Sequence, residues 1–131
     1  MLHVSGVVVD TSVWIDFFAG SPAPALEDAL AHGTAVLPPI VIAELVSGAR
    51  RPRERAAIAD LIADLGLHDT PREHWIRVGE LRRRLAARGL SLSTPDAHVA
   101  QCALDRDALL LTRDAVFRMV ARHTRLRLAQ V

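Results

Sequence analysis

The sequence contains no lysine: all sixteen of its cationic residues are arginine. A Gly-x-x-x-x-Gly-Lys phosphate loop is therefore excluded. The arginine excess itself has two readings, a compositional bias or pairing with phosphates and carboxylates, which the guanidinium fork does well. Cysteine occurs once, at Cys102, so no intrachain disulfide can form, which fits a reducing compartment. Aromatic residues are scarce at 4%, so the core must be aliphatic. No hydrophobic run approaches a membrane span, and the run before Asp10 is too short and wrongly flanked for a signal peptide. The expectation is a cytoplasmic protein with no membrane partner. The formal net charge of +1 by itself implies no polyanion partner.

Half of the 131 residues are hydrophobic, enough for one domain spanning 1–131 with a proper core. Gly6 to Asp10 reads as a short, fully buried strand, a run of β-branched residues without alternation. Ser12 to Ala19 reads as a helix ending at Gly20, and Ser21-Pro22 as the cap and first-turn proline of a second helix over Ala23 to Ala31. Thr34 to Leu37 is a strand closed by Pro38-Pro39, followed by a strongly apolar helix over Ile40 to Ala49. Arg50 to Arg55 reads as a basic link, then Ala56 to Leu65 as an amphipathic helix. Leu67 to Asp69 is a candidate strand. Thr70-Pro71-Arg72-Glu73 has the form of a capping box before a long helix with Trp75, Val78, Leu81 and Leu85 inward. Thr94-Pro95-Asp96 opens a helix to Asp105, Leu109 to Thr112 is a strand, Asp114 to Ala121 a helix and Leu126 to Ala129 a last strand. Strands alternating with helices predict a mostly parallel α/β sheet covered on both faces.

In such a sheet ligands bind beyond the C-terminal strand ends. Asp10 follows GVVV there, and Asp114 comes two residues after LLLT begins to turn away. Asp96 starts a helix, and Glu44 lies just over one turn into the helix after the second strand. Each aspartate has an ordinary alternative as a helix cap or first-turn acid. Glu44 has no such explanation: apolar residues flank it, and an unpaired glutamate there would raise its pKa or seek a partner. A solvated stripe over Leu45 to Gly48 is the alternative. Several carboxylates on one edge repel one another unless a hard divalent cation, an oxygen-preferring ion such as Mg²⁺ or Mn²⁺, sits among them.

Four segments carry a family resemblance over nearly the whole chain. VVVDTSVWIDFF, with Asp10, Thr11 and Ser12, resembles the first block of PIN-domain ribonucleases, and within them of VapC-type toxins. PPIVIAELVSG, with Glu44, resembles the second; STPDAHVAQCAL, with Asp96, the third; and LLLTRDAVF, with Thr112 and Asp114, the fourth. The resemblance implies a PIN-like three-layer α/β/α sandwich around four or five short strands. It implies endoribonuclease activity supported by Mg²⁺ or Mn²⁺, a cognate VapB-type antitoxin, and a homodimer, with DNA bound only through the antitoxin. Asp10, Asp96 and Asp114 are the expected metal ligands, and Glu44 either ligates or orients the attacking water. Thr11, Ser12 and Thr112 are expected to orient the carboxylates or to cap helices. Arg113 is the nearest candidate for an RNA phosphate; Arg50, Arg51, Arg53 and Arg55, and Arg82, Arg83, Arg84 and Arg88, are two further clusters. Family members often carry a second acid two residues after the fourth-block aspartate, where this chain has Val116.

Two other acid-bearing α/β classes fit less well. Haloacid-dehalogenase-like phosphatases and receiver domains both rely on a lysine that this sequence lacks. A PIN-like module without activity is the non-enzymatic alternative, and only Val116 favours it. His98 and Cys102, four apart, offer half a zinc site with no second pair at usable spacing. Trp14 and Trp75 read as core or interface residues.

Overall fold

The computed structural model describes residues 6–65 and 69–131. The candidate strand at Leu67 to Asp69 lies largely outside them. The first strand, β1 (Val7–Val9), runs into α1 (Thr11–Phe18) with only Asp10 between. There follow α2 (Pro24–Ala31), β2 (Ala35–Val36), α3 (Pro39–Gly48), α4 (Pro52–Leu65) and α5 (Arg72–Ala86). The chain closes with α6 (Thr94–Arg106), β3 (Leu109–Leu111), α7 (Val116–His123) and β4 (Arg127–Ala129).

The four strands form one parallel sheet in the order β2-β1-β3-β4. Val8 pairs with Val36 on one side and Leu110 on the other. Helices flank this sheet in the expected α/β/α layering, and β1 and β3, central and apolar, are buried as sequence alone suggested. Glycine matters at the β1–β2 seam: a Cβ on Gly6 would stand 2.7 Å from Val36 Cγ2. The chain leaves β1 toward β2 on one side and passes from β3 to β4 on the other. The crevice between the C-terminal ends of β1 and β3 is thus the point where the strand order reverses.

The core is aliphatic around Val8, Val9, Leu26, Val41, Leu81, Leu110 and Leu111, with Trp14 and Phe117 its largest members. Trp14 meets Phe17 edge-on and stacks with Phe18, so it belongs to the core, although its Nε1 has no hydrogen-bond partner among the described residues.

Several boundaries differ from the sequence reading. Ser21 does not cap α2; Ala23 does, because Pro24 takes the first helical position and holds Ala23 at φ −140°, ψ 71°. Thr70 forms no capping box: Pro71 precedes α5 without a side-chain cap. The basic link is half helix, since Pro52 opens α4 and carries Arg53 and Arg55 into it. The inward stripe of α5 is His74, Val78, Leu81 and Leu85, whereas Trp75 is 41% exposed. Spacings of four, three and four residues keep His74 in phase with the buried leucines and leave Trp75 a third of a turn away.

Candidate functional site

Asp10 ends β1 and caps α1, so one residue is fixed by both strand and helix. Its backbone N–H donates to Leu111 O at 2.9 Å, which ties it to the end of β3. Its carboxylate accepts from the Thr11 N–H at 2.9 Å, the Ser12 hydroxyl at 3.2 Å and the Thr112 hydroxyl at 2.8 Å. The residue is only 7% exposed. Burial pushes its pKa up, and the charge of Glu44 adds to that; the three donors oppose the rise.

Thr112 joins two of the acids. While donating to Asp10, it accepts from the Asp114 N–H at 3.0 Å. Asp114 is exposed, and its carboxylate accepts from the Val116 N–H at 3.0 Å at the entrance to α7. Asp96 sits in the first turn of α6, where its N–H donates to the Ser93 hydroxyl at 3.2 Å. Burial raises the Asp96 pKa, and repulsion from Asp114 and Asp10 raises it further. Asp96 therefore feels the charge of Asp10 and Asp114, although the three come from separate segments.

Glu44 is placed beside this group but not as its flanking residues suggested. It is exposed, on a stripe of α3 with Ala43, Val46, Ser47 and Gly48. The apolar sequence around it overstated its burial because α3 covers the core with only one narrow face, led by Val41 and Leu45. Its partner is the Thr11 hydroxyl, which donates to Glu44 Oε1 at 2.7 Å. Thr11 thus contacts Asp10 through its backbone and Glu44 through its side chain.

Arg113 does not neutralise these acids. Its side chain pairs with Asp16 on α1, and its N–H donates to Ser12 Oγ at 3.1 Å. An all-oxygen set of repelling carboxylates, one of them buried and without a cationic partner among the described residues, suits a hard divalent ion. The carboxylate oxygens are not drawn into a closed inner shell. Among the described residues, three ligand atoms all within 4.8 Å of one another occur only at His74, His98 and Cys102. An ion among these acids would have to keep water between itself and some of them, as Mg²⁺ does.

The His74 group was not foreseen, because the sequence offered only the His98–Cys102 half; the phase of α5 was the available signal. His74 Nδ1 lies 2.7 Å from Asp105 Oδ2, and its Nε2 lies 2.7 Å from His98 Nδ1. An ionised carboxylate can only accept, so His74 donates from Nδ1, while its Nε2 shares one hydrogen with His98 Nδ1. The Cys102 sulfur stands 3.9 and 3.8 Å from Nδ1 and Nε2 of the His98 ring. Burial holds the thiol protonated, its pKa pushed up to about 12. The geometry is that of an internal hydrogen-bonded chain joining α5 to α6. Arg77 extends it with two bonds to Asp105, at 2.8 and 3.0 Å.

The sequence profile of the PIN domain matches residues 7–123, and the chain belongs to the PIN domain family. Solved structures share the fold. VapBC from Salmonella typhimurium bound to DNA matches with TM-score 0.80 at 23% identity, covering 96% of this chain and 98% of that one. VapBC2 from Rickettsia felis, bound to a DNA fragment from its promoter, matches with TM-score 0.75 at 22% identity over 94% and 96%. The VapBC-5 toxin–antitoxin structure from Mycobacterium tuberculosis matches with TM-score 0.70 at 23% identity over 98% and 100%. No curated protein matches by sequence.

Proposed function

We propose that this chain is a single-domain, VapC-type toxin of a toxin–antitoxin pair and a metal-dependent endoribonuclease acting in the cytoplasm. The observation that carries the reading is Asp10, buried at the sheet's switch point, without a cationic partner among the described residues, and coupled to the charges of Glu44 and Asp96. Asp10, Asp96 and Asp114 would hold Mg²⁺ or Mn²⁺. When bound, that ion lowers the pKa of water and offsets charge building on phosphoryl oxygens. Thr112 and Ser12 keep the Asp10 carboxylate aimed, and Thr11 holds one oxygen of Glu44. The other Glu44 oxygen is left to orient the attacking water and take its proton. Arg113 contacts a substrate phosphate by exchanging Asp16 for it. Attack is in line on the phosphodiester, and no covalent enzyme intermediate forms.

A groove of about 440 Å³ beside Glu44 supports the partner side of the reading. It is lined by Ile15, Phe18, Leu45 and Ile58 with Arg51 at its margin, and Ile15 is 57% exposed. An amphipathic helix of a VapB-type antitoxin laid there would cover apolar surface and close off the acids. The toxin acts as a homodimer, and any DNA contact comes through the antitoxin.

Purified protein is expected to cleave total cellular RNA with Mg²⁺ or Mn²⁺, and to stop on chelation or with Asp10→Asn or Asp96→Asn. Expression alone is expected to arrest growth, and the Glu44→Gln variant is not; equal arrest by both removes Glu44 from the catalytic set. One observation favours a second reading. Val116 packs against the core where relatives of the family often carry an acid. Wild-type protein that stays inert on RNA with metal present, yet binds its antitoxin, establishes a non-catalytic module instead.

A further inference from the structure

An open concavity lies at the opposite pole from the acids, toward the N-terminal ends of the strands. It measures about 780 Å³ and opens between the C-terminal ends of α5, α6 and α7, where the chain enters β3 and β4. Arg84, Arg88, Arg122 and Arg125 line it, together with His123 and Asp107. All four arginines are exposed, and among the described residues none makes a hydrogen bond or ion pair. The only carboxylate in the lining is already engaged. Asp107, in a left-handed conformation at φ 51°, accepts from Arg127 at 3.3 Å through its side chain and at 2.9 Å through its carbonyl.

Basic residues at helix C-termini have a structural explanation, since each end carries about half a negative charge. Here the cations exceed that need. Arg84 and Arg122 in the last turns of α5 and α7, with Arg88 and Arg125 just beyond those helices, bring four guanidinium groups to one cleft, and an anion among them offsets the repulsion of like charges. The cleft is open to solvent, which suits a chain passing through it better than an enclosed small anion. It has no phenylalanine, tyrosine or tryptophan in its lining, so it offers phosphate contacts without a base-stacking platform. The acidic edge, by contrast, has its nearest arginine bound to Asp16 and contributes little attraction for a polyanion.

We propose that this cleft is a second RNA-binding site, one that grips the phosphate backbone of a distal limb of the RNA whose scissile bond lies at the acidic edge. It rests on the ribonuclease reading above. A chain of this length has a radius of gyration of about 14 Å, so the two poles stand on the order of 30 Å apart. Only a folded or long RNA reaches both; a short oligonucleotide occupies one. The cleft reads backbone rather than base, so it selects RNA by size and shape.

The test uses the full-length protein carrying Asp96→Asn, without metal, and a fluorescent hairpin RNA of about 40 nucleotides titrated between about 50 and 200 mM salt. Adding Arg84→Ala with Arg122→Ala is expected to weaken hairpin binding about tenfold and to reduce the log–log salt slope by about 1.5. Lysines at both positions are expected to restore most of the binding, because the contact is electrostatic. A single strand of about 8 nucleotides, which reaches one pole only, is expected to bind at the cleft more weakly than the hairpin and to lose affinity with the same alanine pair. In the cleavage-competent protein the same alanine pair should raise KM for the hairpin while leaving kcat unchanged. Unchanged hairpin affinity and slope overturn the proposal, as does a short strand held equally by wild type and the alanine pair. A loss confined to duplex DNA of matching length also overturns it, and reassigns the cleft to DNA. Binding is read without cleavage, so a wild-type protein that cuts nothing defeats the ribonuclease reading while the salt slope still reports on the cleft.

Discussion

Replacing Thr112 with valine removes one hydroxyl and little volume. That hydroxyl gives Asp10 its shortest side-chain bond, 2.8 Å, and receives the Asp114 N–H at 3.0 Å. Hydrogen bonds to a charged group contribute about 1.5–3 kcal/mol. Asp10 is buried, so solvent does not replace the lost donor. The metal-free variant is expected to be less stable by about 2 kcal/mol at pH 7, a fall of about 8 °C in melting temperature. The sign with pH follows from the direction of the pKa. The folded Asp10 carboxyl already titrates above its ordinary value because of burial, and the Thr112 bond acts to lower it. Loss of the bond therefore favours the protonated form. The penalty is full where Asp10 is charged and shrinks as pH falls through its folded pKa. Affinity for Mn²⁺ should drop roughly 10–100-fold, the usual effect of removing a group that orients a metal ligand. Thr112→Ser keeps the hydroxyl and is expected to behave as wild type. Paired thermal melts at pH 7 and pH 4, with a Mn²⁺ titration at pH 7, decide the matter. A valine variant with unchanged Mn²⁺ affinity, or one equally destabilised at both pH values, refutes the role given to this bond.

Saturation with Mg²⁺ at about 100 times its Kd should stabilise the wild type by about 2.7 kcal/mol, seen as a rise of about 10 °C by differential scanning fluorimetry. Asp96→Asn should show little of that rise. His74→Ala should lose about 2–4 kcal/mol in urea unfolding, because it opens a cavity and breaks the link between Asp105 and His98, while Mn²⁺ binding persists. Burial works to raise the Asp105 carboxyl, but bonds from Arg77, Gln101 and His74 outweigh it and hold the group below its ordinary value. Asp105→Asn should therefore destabilise at neutral pH and lose its effect as pH falls through that lowered folded value. Trp14→Phe removes a buried N–H without a partner as well as packing volume, so the two effects offset, and the change in unfolding free energy should stay within about 1 kcal/mol.

The fold was largely legible because its strands are short apolar runs with no alternation, the mark of a parallel sheet buried on both faces. The placement of Asp10 and Asp114 at the sheet's C-terminal edge was legible from position alone, since each follows such a run. Helix starts were less legible. Adjacent prolines decide them sterically: Pro24 overrode the Ser21 cap, and Pro52 drew two arginines of the presumed link into α4. Glu44 shows how composition misleads, because nine apolar or small neighbours did not prevent α3 from exposing one side. His74 was missed by favouring the more hydrophobic Trp75 over the residue in phase with Val78, Leu81 and Leu85. The pairing of Arg113 with Asp16 and the convergence of four arginines on the far pole depend on tertiary placement. No local pattern encodes either.

Titration of Mn²⁺ into the metal-free protein, followed by the electron paramagnetic resonance of the free ion, measures most directly whether the acids share a cation. Wild type should sequester the ion, Asp10→Asn and Asp96→Asn should each bind at least tenfold more weakly, and Arg84→Ala should match wild type. Mn²⁺ left free by the wild type, or held equally well by the asparagine variants, would contradict a shared metal at the end of β1.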